Sequence, residues 1–185
     1  VLMESGGGNV PHFCLAEIAV EADYPYFLTW GGLALSQMET VLNAVSLIYE
    51  EQTGIGYRVS FSVIWSIPDP YAILPPAWDL LCQFSVRWTN GLQGIPRDVA
   101  HLFSGRNISA ISNPGYATNS SVCQTIGDFV YPCAGADLVR GGFCVAQSDY
   151  IPGSFAASTT LSAHELAHTW GAQHCCPGQG TIMSV

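Results

Sequence analysis

Residues 164–174, HELAHTWGAQH, constrain the fold of this chain more than any other stretch. His164 and His168 stand four positions apart. On an α-helix that interval places two side chains on one face, one above the other. The spacing predicts a helix running from about Ala156 to Trp170. Gly171 falls three residues after His168, and His174 three after that. A glycine lets the backbone turn where a side chain would hinder it, so the chain can bring His174 back to the other two. Only five histidines occur among 185 residues, and chance is a weak explanation for three of them lying so close.

The chemistry of such a cluster follows from its donors. Two imidazoles on one helical face can grip a single ion, each nitrogen about 2.0–2.1 Å from zinc, and a third leaves one position open for water. Glu165 points one step round the helix, too far to ligate the same ion but able to hold a water beside it. Zinc lowers the pKa of such a water from about 15.7 towards about 7, and a nearby carboxylate then serves as general base. HExxH alone is a weak signal, because an exposed helix can satisfy it with histidines that do nothing. Its continuation through Gly171 to His174 makes five fixed positions and a specific pattern.

Elsewhere the chain alternates between strand and helix patterns. FCLAEIAVEAD (13–23) reads as a strand. A helix follows, with Ser36 and Glu39 in a capping-box pattern, Gly54 at its stop, and an apolar stripe of Met38, Val41, Leu42, Val45, Ile48 and Tyr49. YRVSFSVIW (57–65) alternates as a strand, with Val59, Phe61, Val63 and Trp65 on one face. After the breaker PDPYAILPP comes a second helix over 77–89, with Leu81, Phe84 and Trp88 along one side. RDVAHLFSG (97–105) reads as a buried strand, 106–135 as loops with short strand pieces, and GFCVAQSDY (142–150) as a last strand. That order predicts a mixed α/β architecture with helices packed on a sheet. Residues 1–11 form a glycine-rich lead-in, and 12–185 one domain with its own core. His12 and His101 are expected to be structural. Trp65, Trp78, Trp88 and Trp170 are core candidates first and pocket candidates second.

Composition narrows the partners. Lysine is absent, five arginines face fourteen acids, and the formal charge is −9. That balance speaks against nucleic acid and against an anionic membrane surface, both of which require basic side chains. No stretch reads as a membrane span, and the first residues lack the form of a signal peptide. Seven cysteines without zinc-finger spacing point to disulfides in an oxidising, extracellular setting, with at least one thiol left over. Asn107-Ile-Ser and Asn119-Ser-Ser are glycosylation acceptors in form.

HELAHTWGAQH followed by GTIMSV resembles the metzincin zinc endopeptidases. LAEIAVEADYPYF, NAVSLIYEEQTGI, VSFSVIW and RDVAHLFSGRN extend the likeness to their reprolysin-like, adamalysin-type catalytic domains. The resemblance implies a twisted, mostly parallel mixed sheet over two long helices, with the cleft between the sheet edge and the metal. It also implies one catalytic Zn2+ held by His164, His168 and His174, with Glu165 as catalytic base. Met183 would be the methionine turn, and a protein or peptide substrate would lie extended along the edge. Three features depart from the pattern. Cys175 stands where the branch usually has Asp, and it reads either as a disulfide partner, with its neighbour Cys176, or as a competitor for the metal. Only eight residues separate His174 from Met183, so the loop is short or residues are missing. The sequence ends just past that methionine, before the pocket wall and C-terminal helix of the family. Two functions stay open: a secreted zinc endopeptidase, or a catalytically silent module among other domains or subunits of an extracellular assembly.

Overall fold

The computed structural model describes residues 14–122, 133, 141–175 and 181–183. The expected lead-in over 1–11, His12, Cys123 and Cys176 lie outside these. Among the described residues five strands form one sheet: β1 (Cys14–Ala22), β2 (Ile55–Ile64), β3 (Val99–Ser104), β4 (Gly115–Ala117) and β5 (Gly142–Gln147), in the order β2-β1-β3-β5-β4. The first three neighbouring pairs are parallel, and β4 runs antiparallel to β5 at the edge. The architecture is therefore mixed, as the order of elements suggested, and mostly parallel, as the resemblance implied.

Helices cover both faces. α1 (Tyr24–Trp30), α2 (Ala34–Thr53) and α4 (Phe155–Thr169) pack on one side, and α3 (Ala77–Gly91) on the other. Alternation along the central strands supplies the two cores. Ile18, Val20, Val99 and Phe103 point towards α2 and α4, whereas Ala19, Ala100, Leu102, Phe143 and Val145 meet Leu81, Phe84 and Trp88 of α3. β3 and β5 are buried at every position, which is why they are mainly apolar and lack the in-out alternation of a half-exposed strand.

Three details differ from the sequence reading. α2 begins at Ala34, so Ser36 already lies inside the helix and the capping box does not form; Leu33 occupies the cap position without a side-chain bond. A short 3-10 turn (Gly31–Leu33) leading out of α1 starts the helix instead. Gly54 does close α2, as expected. In β2 the pairing with β1 shifts between Ile18 and Ala19, whose partners are Val59 and Phe61, leaving Ser60 as a bulge. A bulge flips the residues beyond it. Tyr57 and Val59 therefore pack with the α2 side and Val63 with the α3 side, not on one common face. Finally, α1 was not foreseen. Asp23 caps it by accepting from Tyr26 N, with Pro25 in the first turn, and Tyr26 meets Trp30 one turn on, but seven residues are too few for a stripe to stand out.

A buried polar lattice fixes the ends of these elements. Arg106 donates to Asp23 and Asp69, both at 2.6 Å, in a nearly solvent-free site. Glu21 accepts from Trp65 Nε1, Tyr71 Oη and Trp88 Nε1. Among the described residues one disulfide, Cys82–Cys133, ties α3 to the segment before β5. Cys14, Cys144 and Cys175 are free thiols.

Candidate metal centre

α4 carries the motif, and its position is set from three directions. Ser154 caps its N-terminus by accepting from Ala157 N. From α2, Tyr49 Oη donates to Ala163 O at 2.8 Å, one residue before His164. From β3, the fully buried His101 lies 3.3 Å from Ser162 Oγ and 2.8 Å from Cys144 Sγ. Burial holds the His101 imidazole well down, at about 3, so it is neutral and structural. At the helix C-terminus the loop after β4 supplies donors: Ser120 N to His168 O, and Ser121 N and Val122 N to Thr169 O. Trp170 Nε1 donates to Tyr57 Oη at 2.6 Å.

Gly171 then turns the chain. Its φ of 95° is a conformation L side chains rarely adopt, and a Cβ there would meet Ser120 Oγ at 2.8 Å. Beyond the turn, His174 Nε2 comes to 3.1 Å from both His164 Nε2 and His168 Nε2. These three form the one cluster among the described residues with metal-ligand character.

The donor set fits a divalent cation. His164 Nδ1 lies 2.6 Å from Ile182 O, and His168 Nδ1 lies 2.8 Å from Ala172 O. A carbonyl oxygen only accepts, so each Nδ1 carries the proton and each Nε2 lone pair faces the cluster centre. Lone pairs converging without a positive charge between them repel. Their 3.1 Å spacing also approaches the roughly 3.3 Å edge of a tetrahedron with ligand distances of about 2.0–2.1 Å. Burial and the two neighbouring imidazoles hold His168 below its ordinary pKa, which favours a neutral ligand.

Glu165 is buried beside the triad and lines the same open cleft. Burial pushes its carboxyl up to about 8. It lies hard against β4: a Cβ on Gly115 would meet Glu165 Oε1 at 2.4 Å. Sequence reasoning missed Gly115, whose only signal was a lone glycine in a loop-like stretch. Thr118 N donates to Phe143 O and Gln147 N donates to Pro114 O. Antiparallel alternation therefore turns the N–H and C=O groups of Gly115 and Ala117 outward, to the unpaired edge facing the cleft.

Met183 is buried in the core shared by Ala163 and Leu166, and its carbonyl accepts from Cys175 N at 3.1 Å. Cys175 itself is exposed, lies 3.8 Å from Thr181 Oγ1 and is unbridged, so the disulfide expected of it does not form here. Nor does its thiol join the imidazole cluster. Asn107 is exposed and accepts from Ser109 Oγ at 3.3 Å, whereas Asn119 lines the cleft.

A mostly parallel sheet, an edge strand beside a cleft, and a helix presenting two imidazoles with a third folded back define a metallohydrolase type of site. The chain belongs to metallo-peptidase family M12, whose reprolysin-type model matches residues 16–184. No curated protein matches it. Among solved structures it is similar in fold to one titled "Structure of a chaperone-substrate complex", with a TM-score of 0.58 and 13% identity over 91% of this chain. This chain spans 24% of that one's length. Among the described residues, no helix is long and apolar enough to cross a membrane.

Proposed function

We propose that this domain is a secreted, zinc-dependent endopeptidase. The observation that carries the reading is the convergence of three Nε2 atoms, two of them with their tautomers fixed by backbone carbonyls. His164, His168 and His174 would hold one Zn2+, with Met183 packed in the core that supports them. Bound there, the ion would acidify a water and polarise the scissile carbonyl. Glu165 accepts the proton of the attacking water and passes it to the departing amine. Its burial against Gly115 keeps the carboxyl in one place and excludes bulk water around it. The outward main-chain groups of Gly115 and Ala117 align an extended peptide by strand addition. The disulfide Cys82–Cys133 and the exposed Asn107 acceptor support an oxidising, extracellular setting.

The test is Glu165→Gln. It is expected to retain stoichiometric zinc and to lose cleavage of a broad peptide library. Unchanged cleavage would refute the base. Stoichiometric zinc in the wild type with no cleavage would favour the silent module.

A further inference from the structure

Tyr116 is the middle residue of β4, between the two whose main-chain groups face the cleft. Strand alternation puts its side chain on the sheet face opposite Gly115 and Ala117, away from the imidazoles. There its ring meets Trp78, in the first turn of α3, edge-on, with centroids 5.3 Å apart and planes at 68°. Tyr116 keeps 41% of its surface exposed although it belongs to a sheet. The platform is braced, because Ala77 N donates to Ser112 Oγ at 2.9 Å and so joins the start of α3 to the loop before β4.

We propose that the Tyr116–Trp78 pair is a specificity subsite for an aromatic or large aliphatic side chain of an extended peptide substrate. The inference rests on the peptide reading above and adds to it the side-chain class that is read. A peptide bonding to Gly115 and Ala117 presents to Tyr116 the residue between its two bonded positions. That pair is of the non-hydrogen-bonded kind, in which Cα atoms approach to about 4.5 Å and side chains lie closest. Its side chain must then fall on the Tyr116 face, over an exposed ring already backed by an indole. Charge selects in the same direction. Apart from the histidines, Glu165 is the one ionisable acid or base among the described cleft residues other than tyrosine, and the whole chain carries −9. No arginine is among these cleft residues, so an acidic substrate side chain over Tyr116 meets no basic side chain of the lining. Asp79, exposed beside Trp78, makes a basic residue the competitor to exclude by experiment.

A series of blocked decapeptides tests this, with Phe, Ala, Asp or Arg walked through an otherwise fixed sequence. Binding is read by fluorescence anisotropy on zinc-loaded Glu165→Gln protein, and cleavage on the wild type. At one position Phe is expected to exceed Ala on the order of 10-fold in both readouts, with Asp and Arg not favoured. Tyr116→Thr, which keeps strand propensity, is expected to bring the Phe/Ala ratio close to one, and Tyr116→Phe to preserve it. An undiminished ratio in Tyr116→Thr, a preference for Arg or Asp, or no position that prefers Phe overturns the subsite. If the wild type cleaves nothing while Tyr116-dependent Phe binding persists, the subsite stands and the peptidase reading falls.

Discussion

Replacing Gly115 by alanine adds one methyl group, yet it is expected to damage the site severely. The new Cβ would lie 2.4 Å from Glu165 Oε1 and 2.8 Å from Glu165 Cδ and Cγ, where ordinary contact begins at 3.4 Å. The carboxyl or the edge strand must therefore yield by about 1 Å. With Glu165 as the proposed base, a displacement of that size costs about 100-fold, equivalent to about 2.7 kcal/mol on the barrier. Overpacking would add a stability loss of about 1–3 kcal/mol. The measurement is kcat/KM on a fluorogenic peptide at saturating zinc, with zinc stoichiometry determined alongside. Zinc content should be unchanged, because Gly115 faces the glutamate and not the imidazoles. Glu165→Asp shortens the side chain and opens room for the methyl group. In that background Gly115→Ala should cost clearly less stability, a coupling of about 0.5–3 kcal/mol in a double-mutant cycle. A Gly115→Ala protein with near wild-type kcat/KM and stability would refute the claim that this contact positions Glu165.

Two stability predictions concern the scaffold. His101 is buried and neutral, with its pKa held at about 3. The unfolded chain takes up a proton at His101 below about pH 6.5, so stability falls as pH drops from there towards the folded value. This contributes about 1.4 kcal/mol per pH unit, or about 2.7 kcal/mol by pH 4.5. Urea unfolding of His101→Gln should show a shallower loss over that window than wild type, and parallel curves would contradict it. The Cys82–Cys133 bridge closes a loop with a sequence separation of 51. Its removal by paired alanine substitution should lower unfolding free energy by about 4 kcal/mol, and a change under about 1 kcal/mol would contradict the chain-entropy origin.

Much of the fold was legible because burial leaves a period in the sequence. α2 and α3 show apolar stripes, and β3 and β5, covered by helices on both faces, are largely apolar, with His101 the one polar residue inside either strand. β2 was misread because a single bulge at Ser60 inverts the alternation, and no residue type there announces it. The capping box failed because the preceding 3-10 turn had already set the helix cap three residues earlier, at Leu33. α1 was readable in hindsight from Asp23 and Pro25, whose chemistry suits a helix start, but seven residues are too few for a stripe. The histidine cluster was legible because its geometry is local: one helix face plus one glycine turn. Gly115 and Tyr116 were not, and Trp78 was legible only as a core residue first and a pocket candidate second, because their meaning depends on which strand ends at the sheet edge and on what lies across it.

The convergence of three imidazoles on one cation can be read directly by zinc-edge X-ray absorption on stoichiometrically loaded protein. The expected result is one zinc per chain with three nitrogen ligands at about 2.0–2.1 Å, and loss of that nitrogen shell in His174→Ala. A failure to bind stoichiometric zinc, or a sulfur shell at about 2.3 Å drawn from the cysteines, would contradict it.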